Sequence, residues 1–168
     1  GGADTYVLAI SGAVIVVGSA VLRPDGGDTV VDVERFIVGS STFSFFGGAE
    51  DNYVQSLATD GGRLEGGGGN DTLIGGEGSD TVAGGAGDDS LDGGDFAEDL
   101  LDCSAASVDL TIDLAAGLVS GDGNDTVSGF EAVAGGTGND TITGTDILER
   151  EEWLQGGGGN DFIRPGGG

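Results

Sequence analysis

Aspartates recur every nine residues through the middle of the chain, at Asp71, Asp80 and Asp89. Each follows a glycine-rich run of the form G-G-x-G-x. Carboxylate oxygens and backbone carbonyl oxygens are hard donors, the ligands that calcium prefers. One such loop offers a single charged ligand, too few for the shell of about six to eight oxygens that calcium takes, but two stacked loops would fill it. The spacing therefore predicts cation sites that are shared between loops.

The loops must be held apart by short strands. Residues 66–92 contain three back-to-back copies of G-G-x-G-x-D-x-U-x, where U is a large apolar residue. The glycines permit left-handed turns that aim carbonyl oxygens inward. The last three positions of each copy have strand chemistry, with the apolar residue pointing inward. Alternating turns and strands give a coil of about eighteen residues per winding, with Asp71 and Asp89 on one edge and Asp80 on the other.

These three copies resemble the repeats of the RTX (repeats-in-toxin) family. The resemblance implies an all-β fold, a parallel β-roll or solenoid, with several Ca²⁺ ions held between loops one winding apart. It also implies a bacterial protein that leaves the cell by type I secretion and folds outside it. A disordered Gly/Asp-rich linker is the alternative, but linkers do not keep an apolar residue at every ninth position.

Looser copies of the pattern lie at 120–128, 135–143 and 156–164, and an irregular copy after Gly93 contains an inserted residue. The predicted metal ligands at the sixth place are Asp71, Asp80, Asp89, Asp99, Asp125, Asp140 and Asp161. Carbonyl oxygens of the loop glycines should complete the shells, at Gly67, Gly69, Gly76, Gly78, Gly85, Gly87, Gly121, Gly123, Gly136, Gly138, Gly157 and Gly159. Asp28 is a weaker candidate.

Three regions are predicted: a divergent strand-rich module over 1–60, the core repeat array over 61–98, and a second divergent module over 99–168, together one continuous solenoid. The sequence D-T-V-x-x-x-E occurs at Asp28 and again 97 residues later, which indicates an internal duplication. Residues 100–114 alternate in polarity and predict one half-buried strand. At Phe43–Phe46, apolar bulk replaces an acid. This predicts either packing in place of a lost ion site or an aromatic ligand patch.

Composition excludes several classes of function. The 168 residues carry 30 acidic groups, five arginines and no histidine, for a net charge of −25. This balance argues against nucleic acid or an anionic membrane as a partner and favours a cation. The single cysteine, Cys103, excludes an internal disulfide, and the lack of histidine removes the usual zinc ligand and general base. No apolar run predicts a membrane span, and no secretory signal peptide is visible.

We therefore expect a non-catalytic, extracellular module that is largely unfolded without calcium and supports the secretion and stability of a larger secreted protein. Each winding buries about two large apolar residues, too few to offset the ordering of its backbone. Calcium affinity should suit extracellular concentrations, about 10⁻⁴–10⁻³ M. Two alternatives stay open: a calcium-dependent adhesion module that binds a polysaccharide or protein partner, and the non-catalytic region of a larger enzyme. The oligomeric state is not predicted.

Overall fold

The computed structural model is all-β over the residues that it describes, which confirms the predicted fold class. These residues are 43–95, 97–145 and 151–166 with their side chains, and five strands before residue 43 as backbone. Within these ranges the chain forms no helix with the length and apolar character that a membrane crossing would need.

Nineteen short strands lie in the described residues. In chain order they are β1 (Thr5–Leu8), β2 (Val14–Val16), β3 (Ala20–Val21), β4 (Thr29–Val30), β5 (Arg35–Val38), β6 (Phe43–Phe46), β7 (Tyr53–Ser56), β8 (Gly62–Gly68), β9 (Thr72–Gly76), β10 (Thr81–Ala86), β11 (Ser90–Gly94), β12 (Leu100–Asp102), β13 (Thr111–Asp113), β14 (Leu118–Ser120), β15 (Asn124–Ser128), β16 (Ala132–Ala134), β17 (Thr141–Thr143), β18 (Trp153–Gln155) and β19 (Phe162–Arg164).

The strands form two sheets that face each other across the coil. Sheet A has the order β1-β5-β7-β9-β11-β15-β14-β13-β17-β19, and sheet B the order β18-β16-β12-β10-β8-β6-β2-β3-β4. Strands of the central array alternate between the sheets and pair in parallel. Thr72 of β9 lies beside Ser90 of β11, eighteen residues later. The central array is therefore a parallel β-roll with the winding length that the nine-residue spacing predicts.

Windings become longer after the array. Ser90 pairs with Thr126 after thirty-six residues, and Leu100 pairs with Ala132 after thirty-two. The additional residues of the first of these windings include β13 and β14, and β14 pairs antiparallel with both β13 and β15 inside sheet A. Insertions are thus absorbed within a sheet, and the parallel stack resumes on either side of them.

A matching antiparallel meander lies in sheet B. Strands β2, β3 and β4 pair in the same order as β13, β14 and β15. Val14 and Thr111, which begin β2 and β13, are 97 residues apart. This is the offset of the repeated D-T-V-x-x-x-E sequence. The two meanders lie in opposite sheets because an odd number of half-windings separates them.

Apolar side chains at the eighth place of each repeat fill the coil. In the array, Leu73, Val82 and Leu91 are at most 3 % exposed. The buried core of the described residues consists of Phe43, Phe45, Val54, Ala58, Leu64, Leu73, Val82, Leu91, Leu101, Leu110, Ile112, Val119, Val127, Phe130, Val133 and Ile142. Each large aliphatic side chain contributes about 1.5–3 kcal/mol through burial, so this core is one narrow column of modest contacts.

The prediction of a single strand over residues 100–114 is wrong. Its two ends lie in opposite sheets, because the chain turns after β12. Ser104 donates its N–H and its hydroxyl to Asp102 Oδ1, at 3.1 and 2.5 Å, which stabilises the turn. Leu110 is buried as expected, but Val108 is 42 % exposed in the connecting loop.

Cys103 lies in the same loop and is partly buried against the core. Burial raises the pKa of its thiol to about 12, and nearby carboxylates, first that of Asp122, add to the shift. A thiol with this pKa stays protonated and unreactive at neutral pH. Cys103 therefore serves as a small packing residue beside the core.

Leu73→Ala should destabilise the calcium-loaded fold by about 2–5 kcal/mol, because it leaves a cavity in the core column. Urea unfolding followed by circular dichroism in excess calcium measures the change. The control is Leu57→Ala, because Leu57 is 60 % exposed and its truncation should alter stability by about 0.5 kcal/mol or less. Equal losses in the two variants would contradict the inward position of the eighth-place side chain.

Candidate metal sites at the two edges of the roll

The sixth-place residues form a column along each edge of the roll, at the point where the strands of one sheet begin. On the sheet A edge the column contains Asn52, Asp71, Asp89, Asp125, Asp140 and Asp161. On the sheet B edge it contains Asp80, Asp99, Glu131 and Glu152. Asp71 and Asp89 therefore share one edge and Asp80 lies on the other, as predicted, whereas Asp28 lies outside the described residues.

Hydrogen bonds join neighbouring loops along the sheet A edge. The N–H groups of Asn52, Asp71 and Asp89 donate to Oδ1 of the next sixth-place carboxylate, at 2.8, 2.8 and 3.0 Å. The acceptors are Asp71, Asp89 and Asp125 in turn. Farther along, Asp140 N–H donates to Asp161 Oδ1 at 2.9 Å. Each carboxylate thus holds the preceding loop in register.

The sheet B edge repeats this pattern with a glutamate. Asp80 N–H donates to Asp99 Oδ1 at 2.7 Å, and Asp99 N–H donates to Glu131 Oε2 at 3.0 Å. Glu131 is 6 % exposed. The sequence reasoning missed Glu131 because it searched for aspartate after glycine. The available signal was an acid two residues before a core side chain, here Val133.

Glu152 holds the same place one winding later. The backbone N–H and the hydroxyl of Thr145 donate to its Oε1, and Gly166 N–H donates to its Oε2 at 3.3 Å. It was also missed, although it stands two residues before Leu154. Its carboxylate is more fully bonded to its own protein than those of the array aspartates are.

The array aspartates each keep an oxygen that the protein does not satisfy. Oδ2 of Asp71, Oδ2 of Asp89 and both oxygens of Asp80 accept no hydrogen bond. These residues are 1, 3 and 2 % exposed. An unpaired buried carboxylate oxygen is costly unless a cation meets it. The column is therefore an array of oxygens that lack a positive partner.

A glycine at the first place of each repeat makes room for that oxygen. A Cβ added to Gly66 would lie 2.1 Å from Asp71 Oδ2 and 2.6 Å from the carbonyl oxygen of Gly84 in the next loop. A Cβ added to Gly75, Gly84, Gly135 or Gly156 would likewise lie 2.2–2.8 Å from Oδ2 of the sixth-place aspartate in the same repeat. A side-chain oxygen and a carbonyl oxygen of the neighbouring loop thus converge over Gly66, which suits calcium.

The predicted carbonyl donors at the second and fourth places point along the stack. Cβ atoms on Gly85 and Gly87 would lie 2.0 Å from the carbonyl oxygens of Gly67 and Gly69. Gly94, Gly157 and Gly159 approach the carbonyl oxygens of Gly76, Gly136 and Gly138 in the same way. A Cβ on Gly78 would instead lie 1.9 Å from the backbone nitrogen of Gly61. A side chain at these places would collide with the next loop. The carbonyl oxygens of Gly76 and Gly136 each also accept a loop N–H at 2.9 Å, which engages part of their donor capacity.

Gly121 and Gly123 have different surroundings. Gly123 stacks on the array, since its Cβ would lie 1.7 Å from the carbonyl oxygen of Gly87. Gly121 lies in the tight turn between β14 and β15, where its N–H donates to Gly123 O at 3.2 Å. Its Cβ would instead meet Asp109 and Leu110. The structure does not bring Gly121 to the loop that carries Asp89.

Leu110 interrupts the column on the sheet A edge. It precedes Thr111, which pairs with Thr141, so it stands at the place of Asp140 one winding earlier. Leu110 is 2 % exposed, and its N–H still donates to Asp140 Oδ1 at 2.8 Å. The backbone register therefore continues through this loop, but the carboxylate is missing.

Phe43 holds the sixth place near the start of the sheet B edge. It pairs with Gly62. Gly62 is in turn aligned with Asp80, because the residues that follow them, Arg63 and Thr81, pair with each other. Phe43 is 4 % exposed and Phe45 is fully buried. Apolar packing therefore fills the position of the missing acid, and the alternative of a surface aromatic patch is wrong for these two side chains.

A second ladder, which the sequence reasoning missed, follows the fifth place on the sheet A edge. Oδ1 of Asp51, Asn70 and Asp88 accepts the N–H of the next fifth-place residue, at 2.7, 2.9 and 2.9 Å. Asp109, in the same loop as Leu110, and Asn139 continue the ladder farther along the edge, where they accept the N–H groups of Asn139 and Asn160. These bonds run opposite to those of the sixth place, so each loop is tied to both neighbours. Asn and Asp serve equally because both offer an Oδ1 acceptor.

Burial and mutual repulsion disfavour charge on the sixth-place acids. Burial raises the pKa of Asp71 to about 6, and the charges of Asp89 and Asp51 add to it. Burial raises the pKa of Asp80 to about 7, and the charge of Asp99 adds to the shift. The pKa of Asp89 is also raised, and that of Asp125 is raised to about 6, chiefly by burial. A bound cation would reverse this preference.

Carboxylates alone do not form a complete metal site. In the part of the chain that the structure describes, no group of three or more acidic or other ligating side chains could hold an ion. Each column instead presents one carboxylate per loop, with carbonyl oxygens of the glycine loops beside it. The donor set fits a hard, oxygen-coordinated ion held between two loops.

Comparison with known proteins agrees with this donor set. The family model described as RTX calcium-binding nonapeptide repeat, in four copies, matches residues 65–97, 128–146 and 151–168. No curated protein and no solved structure matches the chain.

Without calcium, the β-structure of the chain should increase as the pH falls from 7.5 to 5. The pKa values of Asp71, Asp80 and Asp125 are about 6 to 7 in the fold but about 4 in an unfolded chain. Protonation therefore stabilises the fold fully below about pH 4, and this contribution is lost as the pH rises through 6 to 7. Calcium affinity should weaken over the same window, because protons compete for the ligands.

Circular dichroism and calcium titration at several pH values, with chelator in the calcium-free samples, test both trends. Asp80→Asn should flatten part of the pH dependence. Asp60→Asn, which removes an exposed carboxylate on the same edge, is the control. A calcium-free fold that weakens as the pH falls from 7.5 to 5 would contradict the assignment.

Proposed function

The nonapeptide repeats of this chain belong to the RTX calcium-binding family, and from that premise we propose that the chain folds on calcium outside the cell and supports the secretion and stability of a larger secreted protein. The repeat β-roll is a structural calcium-binding domain. The observation that supports calcium-driven folding is the set of buried, unpaired oxygens on Asp71, Asp80 and Asp89. A chain that must bury them without an ion lacks a compensating interaction.

The protein offers these oxygens little positive charge of its own. Among the described residues both salt bridges use Arg63, which contacts Glu65 and lies 3.2 Å from Asp102. Asp102 ends β12 and also accepts two hydrogen bonds from Ser104, so its charge is already engaged. Arg164 lies over the ring of Phe162, 5.8 Å from its centroid. An external cation is therefore the natural partner of the edge columns, and it would also reduce the net charge of −25.

We assign several Ca²⁺ ions to the gaps between loops one winding apart. On the sheet A edge these gaps lie between Asp71 and Asp89, between Asp89 and Asp125, and between Asp140 and Asp161. On the sheet B edge a gap lies between Asp80 and Asp99, and Glu131 extends the column. Carbonyl oxygens of the loop glycines, from Gly67 to Gly159 but without Gly121, would complete the shells.

Calcium supply then decides where the chain folds. Modules of this kind that bind calcium at about 10⁻⁴–10⁻³ M stay empty in the cytosol and fill outside the cell. Binding that stabilises only the folded state couples folding to export. We propose a non-catalytic role for the chain itself, because its loops are lined with glycine and its sequence has no histidine.

A second candidate function is calcium-dependent adhesion to a polysaccharide or a protein partner. Trp153 is 68 % exposed on the outer side of sheet B, in register with Ala132 and Leu100. An exposed indole on a flat strand surface suits stacking on a sugar ring. Trp153→Ala should abolish retention on a glycan array in calcium while leaving the calcium-induced circular dichroism intact. Retention of both variants alike would exclude this surface.

Asp89→Asn should raise the calcium concentration needed for folding at least tenfold, because it removes a charged ligand from two adjoining gaps. Far-UV circular dichroism during a calcium titration measures the midpoint, and magnesium serves as the ion control. Asp88→Asn is the matched variant. It changes the net charge equally but keeps the fifth-place acceptor, as Asn70 does, so its midpoint should stay near that of the unaltered chain.

Equal shifts in the two variants would show that overall charge, not the gap ligand, controls folding. A folded spectrum in excess chelator would show that the strands hold the structure without ions.

A further inference from the structure

The loop over residues 47–52 stacks on the first loop of the array, although it lacks the acid of the repeat. Its sequence is G-G-A-E-D-N, ending in Asn52, and it lies outside the residues that the family model matches. Gly68 N–H donates to Gly48 O at 2.7 Å, and Asn52 N–H donates to Asp71 Oδ1 at 2.8 Å. The backbone of this loop is thus held as the array loops are.

Asn52 places an amide oxygen where the array loops place a carboxylate oxygen. A Cβ on Gly47 would lie 2.4 Å from Asn52 Oδ1 and 1.9 Å from the carbonyl oxygen of Gly66. The same two kinds of donor converge over Gly66 in the array. Asn52 is 7 % exposed, and its Oδ1 accepts no hydrogen bond. Asn52 Oδ1 is therefore a buried, unpaired oxygen that lies beside the carbonyl oxygen of Gly66 in the adjoining loop, as Asp71 Oδ2 lies beside that of Gly84 in the next.

We propose that the gap between residues 47–52 and 66–71 is a further calcium site, weaker than those of the array. The proposal rests on the calcium-binding function proposed above. Amide and carbonyl oxygens are calcium ligands. The sixth places give this gap one carboxylate and one amide, whereas the gap between Asp71 and Asp89 receives two carboxylates. Calcium affinity is lower when fewer of the ligands are charged, so this site fills last.

The residue order at the end of this loop reverses that of its neighbour. Here the pair is Asp51-Asn52, whereas the next loop on the same edge ends in Asn70-Asp71. Asp51 stands at the fifth place, and its Oδ1 accepts Asn70 N–H at 2.7 Å. An asparagine there would accept equally, as Asn70 does from the next loop at 2.9 Å. Exchanging the two residues therefore alters the charge of the gap but preserves composition, net charge and both ladders.

The test is the exchange variant D51N/N52D beside N52A, with calcium binding followed by titration calorimetry. The exchange should keep the number of ions and tighten the weakest step by about tenfold or more. N52A should lose one ion, the weakest, while the tighter steps remain. The reciprocal exchange N70D/D71N, which removes a carboxylate from two gaps but keeps the net charge, should weaken binding at least tenfold.

Tyr53 supplies a local reporter, because it directly follows Asn52 at the start of β7. Terbium(III) replaces calcium, and its luminescence is excited through the tyrosine. The sensitised signal should saturate after the tight sites have filled, and Tyr53→Phe should remove this late component. In the exchange variant the component should appear earlier in the titration.

An unchanged ion count and weakest affinity in N52A would overturn the proposal. The amide would then be turned to donate its NH₂ to the carbonyl oxygen of Gly66, which converges with it over Gly47, and the gap would be closed by a hydrogen bond. An exchange variant that binds one ion more than the unaltered chain would also overturn it, because the original gap would have held none. If the unaltered chain binds no calcium, the function proposed above fails as well, and this result is distinct from the other two.

Discussion

The fold depends on carboxylates that are buried in the edges of a coil and shared between successive windings. One oxygen accepts a backbone N–H from the preceding loop, which sets the register. In Asp71 and Asp89 the other oxygen faces a gap with no partner from the protein. The same side chain therefore fixes the geometry of the stack and creates its main electrostatic cost. A core of one narrow column is too small to offset that cost, so a cation at the gap becomes part of the folding free energy.

The sequence allowed the central architecture to be predicted because three signals coincide there. Glycine allows the turn, the acid recurs at a fixed spacing, and an apolar residue follows two positions later. Where one signal was missing, prediction failed. Glu131 is preceded by Gly129 alone, without the two glycines that open a repeat, although it is buried in the column. The split of residues 100–114 depends on a side-chain turn at Asp102, and alternation of polarity does not reveal it.

The fifth-place ladder was hidden for a different reason. In the repeat pattern this place is open to any residue, and no periodic apolar signal marks it. Its importance is visible only when loops are stacked, since Asp51, Asn70 and Asp88 then form a line of acceptors. Gly121 shows the reverse situation. It fits the pattern in sequence, but it lies in the hairpin turn between β14 and β15, beside Asp109 and Leu110, whereas Gly123 of the same turn stacks on the array.

The two antiparallel meanders occupy opposite sheets, and this position follows from the repeat unit itself. One nonapeptide completes half a winding, so each unit moves the residues that follow it half a turn around the roll. Gaining or losing a single unit would carry all later residues to the other side of the roll without disturbing the stack. Two units would restore the original side. Copy number in such an array therefore sets the direction in which later segments face, and a change of nine residues can redirect a whole surface while each local contact stays the same.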